Sequence, residues 1–434
     1  MQNDKIVEYC TTVCSQILWK KSHKKIFSEL QNHLLEQRDA FVEMGDSIQE
    51  ATDKAILDFG DPVCIGMDLD RVHRPKSQYP LMILLVLFCL FGGLLQFFCI
   101  QSTSAIADMI PQAVSYLIGF AILMAAYFID FSILSRYSLP IAICTLAVVL
   151  IACIPSSGRH LKYYIVWLYP IAVSCAIYYF RTKGYAGLTA STLFLLLLII
   201  CSLFTNRIMG VFLCLFSGLV LLPLSVFKGW FHVRKIYGFM ICMTPCLLLL
   251  LTACAVYLSG AGRTGDEYIS GLLQEIVQNA SWLGMGRTLS SPFPSMFHTD
   301  YILAYLLYRH GWIPLVTVIA LLYSFVAVCI WSAARQKSMF GKLIAVSIAG
   351  VFAIQITVYA LSNLGVIRPY VSTILPFISY GSFANIINFA LLGLLLSIFR
   401  NGEVMDDRVA KPILTRAGWK RIRAIIHYEE TNGQ

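Results

Sequence analysis

Apolar residues recur at helical spacing through the first sixty positions: Ile6, Cys10, Val13 and Ile17, then Ile26, Leu30 and Leu34, then Ala51, Ala55 and Ile56. This spacing predicts three or four short amphipathic helices. Gly45 followed by Asp46 and Ser47 reads as a helix stop and a fresh N-cap, and Gly60-Asp61-Pro62 reads as another. The stretch 71–80 is polar, carries Pro75 and Pro80, and reads as a linker. Beyond it the pattern changes to long apolar runs, at about 80–100, 112–130, 138–155, 163–180, 187–204, 207–227, 237–259, 312–334, 342–362 and 380–399. Each is close to the roughly 20 residues that span a bilayer's hydrocarbon core. Thr299–His310 is apolar but short, and reads as a half-helix leading into the eighth run. The expected architecture is all-α: a polytopic membrane protein of about ten transmembrane helices behind a small soluble helical domain. The expected divisions are 1–76, 77–400 and a basic tail, 401–434.

Composition supports this reading. The hydrophobic fraction is 58%, the charged fraction 13% and the mean hydropathy +0.71, whereas a soluble domain carries about 25% charged residues. Between Leu81 and Gly402 the only carboxylates are Asp108, Asp130, Asp266, Glu267, Glu275 and Asp300. Most of the 14 cysteines lie in or beside apolar runs, where cysteine packs as a small hydrophobe, so neither a disulfide framework nor a zinc site is expected. The polar start is unlike a cleavable signal peptide. One set of loops holds Arg136, Arg181, Lys183, Lys228, Arg234, Lys235, Arg335, Lys337 and Lys342. That bias predicts a cytoplasmic face there, with both termini inside the cytoplasmic membrane.

Function is expected in the two longest outside connections, 260–299 and 363–378. Asp300 stands at the edge of an apolar segment, where a carboxyl resists ionisation and suits a general base. It would equally serve as a simple cap for the helix that follows. Arg159, Arg207, Arg263, Arg287 and Arg368 could form a phosphate pocket, or contact lipid headgroups singly. Gly284-Met285-Gly286-Arg287 reads as a tight turn beside a helix end, not a nucleotide loop. Leu375 to Ser382 combines a proline break with small polar residues: a broken segment lining a cavity, or an ordinary helix entry with Ser379 as N-cap. Trp419, Lys420, Arg421 and Arg423 suggest a membrane-surface helix in the tail, and nucleic-acid binding is not expected.

Pro294 through Gly311, PSMFHTDYILAYLLYRHG, resembles the outside-loop motif of the shape, elongation, division and sporulation (SEDS) family. Asn363-Leu364-Gly365 followed by LPFISYG, Leu375 to Gly381, is similar to that family's second signature. The resemblance covers about residues 80–400. It implies a glycosyltransferase that polymerises peptidoglycan from lipid II beside a class B penicillin-binding protein. It implies Asp300 as the base that deprotonates the acceptor 4-hydroxyl, with undecaprenyl pyrophosphate leaving. It makes Arg159, Arg287 and Arg368, with His298, Thr299, Ser379 and Tyr380, the candidate substrate-binding residues, and it implies assistance by a divalent cation, magnesium or manganese. Gln274 and Gly284 also fall near favoured positions. The sequence departs from the family at Tyr308-Arg309, where two glutamates are usual, at Val371-Ser372, at Gly381-Ser382-Phe383, and at Tyr169-Pro170-Ile171-Ala172, which lacks an acid. These departures mark a divergent branch and keep two other readings open, a lipid II flippase and an idle scaffold for the penicillin-binding protein. From Glu29-Leu30 to Val72-His73-Arg74-Pro75 the front domain resembles the small helical domain that precedes some permease-like proteins, which implies a cytosolic docking or regulatory module.

Overall fold

The computed structural model describes residues 2–20, 23–73, 79–99, 105–154, 163–205, 208–258, 267–287, 289, 300–367 and 374–401. The described residues contain helices and no strands.

Four helices form first: α1 (Gln2–Ser15), α2 (His23–Glu43), α3 (Ile48–Phe59) and α4 (Pro62–His73). They share a hydrophobic cluster that includes Ile6, Cys10, Val13, Ile17, Ile26, Leu30, Leu34 and Ala55, all read above as the apolar faces. The expected punctuation is present. Glu50 N donates to Ser47 Oγ at 3.3 Å, and Ser47 N donates back to the Glu50 carboxylate at 3.2 Å. This capping box satisfies two orphan donors at the start of α3. Gly60, at φ +91°, closes α3, and the Asp61 carboxylate accepts from Cys64 N at 3.0 Å in the first turn of α4.

The larger cluster is built from α5 (Tyr79–Cys99), α6 (Ala105–Phe128), the short α7 (Ser132–Arg136), α8 (Ser138–Cys153) and a 3-10 turn, Ile165–Leu168, that runs into α9 (Tyr169–Phe180). Next come α10 (Gly184–Phe204), α11 (Ile208–Phe216), a π turn at Ser217–Leu221, α12 (Leu222–Phe227) and α13 (Lys235–Leu258). The last are α14 (Glu267–Asn279), α15 (Ile302–His310), α16 (Trp312–Ala334), α17 (Met339–Asn363) and α18 (Ser382–Asn401). Among the described residues, seven stretches are long and apolar enough to cross a bilayer: Tyr79–Phe97, Ile110–Phe128, Gly184–Phe204, Met209–Phe227, Trp312–Ala334, Met339–Asn363 and Ser382–Asn401. Ser138–Cys153, Ile165–Phe180 and Lys235–Leu249 are shorter apolar helices. Every predicted run therefore falls on a helix, and the chain is a multi-pass membrane protein.

The helices differ in what surrounds them. Along α17, residues such as Phe340, Ile344, Val351, Phe352, Ile356 and Tyr359 are buried on every side, as expected of a central helix that is apolar all round. In α16 and α5 one face is exposed, with Ile313, Val316 and Trp331 on the first and Ile83, Leu87 and Leu90 on the second. These suit a lipid-facing surface.

Two details refine the sequence reading. The connection after α13 contains an amphipathic helix, α14, which buries Leu272, Leu273 and Ile276. Their helical spacing was a legible signal inside a stretch read as loop. The half-helix is real but separate: α15 ends at Gly311, φ +89°, and α16 begins immediately after it. A side chain at Gly311 would meet the carbonyl oxygen of Ser281 at 2.6 Å, so glycine is needed there for both conformation and space.

Candidate active site

Asp300 lies just before α15 and is half-buried. It does not cap that helix. The N-cap is Tyr301, which makes no side-chain cap bond. The first amides of α15 find acceptors on α17 instead: Ile302 N donates to Tyr359 Oη at 3.1 Å, and Ala304 N donates to Asn363 Oδ1 at 3.0 Å. Asn363 Nδ2 in turn donates to the backbone carbonyl of Asp300 at 2.9 Å and to that of Tyr359 at 3.0 Å. One amide side chain thus holds both the residue and the helix start, leaving the carboxylate out of the backbone bonding. Burial pushes the Asp300 carboxyl up to about 6, and it forms no ion pair with a described cation. A carboxylate with a pKa just below neutral is ionised at pH 7 yet basic enough to take a proton.

The other end of α15 is fixed by the glycine turn. Gly284 N donates to His310 O at 3.0 Å and Gly286 N to Tyr308 O at 2.9 Å. These bonds satisfy carbonyls at the helix C-terminus, which is the helix-end role expected of the turn. Arg287 is exposed beside it, and Gln274 is exposed on α14.

The broken segment 374–381 sits at the same end of the bundle, enclosed by protein. Phe377 is buried at φ +63° among the rings of Phe352, Phe389 and Phe325, at 5.7, 5.4 and 6.3 Å. The carbonyls of this irregular backbone are met by side chains from neighbouring helices. Tyr116 Oη donates to Phe377 O at 2.8 Å, Gln96 Nε2 to Ile378 O at 2.6 Å, and Gln112 Nε2 to Ser379 O at 3.5 Å. Asn385 Nδ2 also reaches Ser379 O, at 3.3 Å. Such donors are what allow a break in a helix at membrane depth. Ser379 is fully buried, and its hydroxyl donates to Leu375 O at 3.2 Å. That hydroxyl neither caps α18 nor faces outward. Tyr380 is partly exposed. His298, Thr299, Arg159 and Arg368 lie outside the described residues, as do Arg207 and Arg263.

An apolar groove of about 660 Å³ runs beside the site. Tyr164, Ile165 and Leu168 form one wall, Phe383, Ile387 and Leu394 another. Tyr164 also links the groove to Asp300, whose charge acts on its phenol. The arrangement joins a slot for an apolar chain to a carboxylate poised near neutrality. Sequence reasoning missed the groove, Tyr164 and the Asn363–Tyr359 clamp as parts of this site.

Residues 280–403 match the FtsW, RodA and SpoVE family of cell cycle proteins. This region contains Asp300, α15, the Asn363 clamp and the broken segment. Over that stretch the chain is similar to this family, whose outside-loop motif the sequence resembles. Among similar proteins, the Escherichia coli peptidoglycan glycosyltransferase MrdB is 30% identical over 115 residues, which is 26% of this chain and 30% of that protein. A probable peptidoglycan glycosyltransferase FtsW of Thioalkalivibrio is 26% identical over 167 residues, 36% of this chain and 40% of that one. The matches therefore span less than half of these relatives. The likeness of fold extends further. A chain of a peptidoglycan synthase complex superposes with TM-score 0.59 at 17% identity, covering 76% of this chain and 99% of that chain. The Thermus thermophilus rod shape determining protein RodA superposes with TM-score 0.53 at 17% identity, with the same coverage.

Proposed function

We propose that this protein is a peptidoglycan glycosyltransferase that polymerises lipid II at the outer face of the cytoplasmic membrane. The observation that carries the proposal is Asp300: a half-buried carboxyl raised to about 6, held by its backbone and placed beside an apolar groove. In this reading the groove receives a polyprenyl chain. Asp300 takes the proton of the acceptor 4-hydroxyl as that oxygen attacks the donor's anomeric carbon. The bond to undecaprenyl pyrophosphate breaks, and the electron pair leaves with the pyrophosphate. Arg287, with Arg159 and Arg368, is suited to its charge.

The described donor set does not make a resident divalent-cation site. No three His, Cys, Asp or Glu side chains come together among the described residues, and Asp300 is a single carboxylate. The buried amides Gln96, Gln112 and Asn385 are bonded to the broken segment, so they support a fixed outer face better than a transport path.

The partner in this reading is a class B penicillin-binding protein. The end bearing Arg181, Lys228 and Lys342 faces the cytoplasm with both termini, and α1–α4 serve as a cytosolic docking module.

The test is polymer formation by the purified chain with its penicillin-binding partner, supplied with lipid II in the presence of moenomycin. Wild type is expected to make glycan strands and Asp300→Ala to lose at least about a hundredfold, within the range for a general base. Equal polymer from both, or none from wild type, contradicts the proposal. Lipid translocation without polymer would favour a flippase, and binding of the partner alone a scaffold.

A further inference from the structure

The end of the bundle opposite Asp300 carries cations without described carboxylate partners. Arg181 follows α9, Lys228 follows α12, and Lys342 lies in the first turn of α17. Aromatic rings bring these elements together. Tyr178 lies 4.3 Å from Phe340 and 5.8 Å from Trp230, ring centre to ring centre. The Arg181 guanidinium stacks 3.9 Å over Tyr178 and 6.0 Å from Trp230, and its Nη1 donates to Tyr178 O at 2.7 Å. Its Nε is buried and has no hydrogen-bond partner among the described residues. Lys228 stands two residues before Trp230, and Lys342 two residues after Phe340, so the same ring contacts bring both to this end.

This arrangement is unfavourable as it stands. Lys228 is exposed, but Arg181 and Lys342 are half-buried, where like charges repel more strongly, and a buried guanidinium nitrogen requires an acceptor. Ordinary membrane-flanking cations avoid both costs by extending into water. Arg335 behaves in that way: it is exposed and stacks 3.4 Å over Trp331, on a ring of its own helix. One anion between Arg181, Lys228 and Lys342 would remove both costs. Phosphate is the matching chemistry, because its oxygens accept from a guanidinium fork and from several ammonium groups together. Trp230 is buried and Tyr178 packs against it, so these rings fix the position of the guanidinium.

We propose that Arg181, Lys228 and Lys342 form a binding site for a phosphate group, supplied by the headgroup of an anionic phospholipid. The site is independent of the glycosyltransferase reading.

The experiment is native mass spectrometry of the full chain, incubated with phosphatidylglycerol and phosphatidylcholine at equal concentration, with inorganic phosphate as a separate arm. Wild type is expected to hold phosphatidylglycerol at least tenfold more tightly than phosphatidylcholine. Arg181→Gln/Lys228→Gln/Lys342→Gln should lose that preference, Lys228→Arg/Lys342→Arg should keep it, and Arg335→Gln should change it less than twofold. Thermal unfolding shows which variants are folded. Competition by millimolar phosphate would assign the site to free phosphate and keep its chemistry. Equal retention of both lipids by wild type, or an unchanged preference in the triple glutamine variant, overturns the proposal. An equal loss in Arg335→Gln does so as well, because surface charge alone would then suffice.

Discussion

In the front helices Lys5 meets Asp53 at 2.7 Å and Lys54 meets Asp46 at 2.8 Å, both at the exposed surface. In the bundle, Asp300 stands at one end with no described cation paired to it, and Lys342 stands half-buried at the other, where Asp130 is a described carboxylate beside the Phe131–Gly341 contact. The front helices pair charges where water already screens them, and such pairs contribute little. The bundle keeps the half-buried charges of Asp300 and Lys342 a full span apart. A fold that maintains an unpaired charge in a partly dry place is suited to a ligand or reaction that uses it. The contrast separates charges that serve solubility from charges that serve a site.

The comparison is sharpened most by Asn363→Leu. It removes the bonds to Asp300 O and Ala304 N while leaving the carboxylate in place. The expected result is a fall of roughly ten- to a hundredfold in polymerisation rate, because small misplacements of a reacting group are costly. A stability loss of about 3 kcal/mol should accompany it, from two buried groups left without partners. An unchanged rate in a folded variant would detach Asn363 from the site.

The next effect is opposite in sign. The Asp300 carboxyl is raised to about 6 by burial. The folded chain therefore binds its proton more tightly than the unfolded chain does. Stability falls as pH rises through the interval from the ordinary carboxylate value to about 6, and above that the full penalty is present. Asp300→Asn should unfold at a higher temperature than wild type at pH 8, by on the order of 2 kcal/mol, with the gap closing toward pH 4. A gap independent of pH would mean that burial does not set the behaviour of this group.

Gln96→Leu should cost about 1–3 kcal/mol by leaving Ile378 O without its donor, read as a drop in unfolding temperature in detergent. Ser47→Ala tests the front helices instead. Loss of the capping box should cost about 1 kcal/mol, read as easier amide exchange in α3, with polymerisation unchanged.

These residues also show what was legible in the chain. The helices could be read because apolar runs of bilayer length leave little choice, and Ser47 and Gly60 punctuate the front helices by local chemistry alone. Asp300 was visible as a rare carboxylate at an apolar edge. Its setting was not, because Tyr359 and Asn363 lie some sixty positions away and reach it only through tertiary packing. Gln96, Gln112 and Tyr116 interrupt their apolar runs visibly, yet nothing local says that they serve the carbonyls of residues 377–379. Ser379 was expected near substrate, and it is spent inside the segment it belongs to.

The pH dependence of strand synthesis tests the central claim most directly. With lipid II and the penicillin-binding partner held constant, the rate should fall on the acid side with a midpoint near pH 6, as Asp300 becomes protonated. The residual rate of Asp300→Asn should lack that limb. A wild-type rate that is flat from pH 5 to 8, or an acid limb that survives in Asp300→Asn, would contradict the assignment of Asp300 as the base.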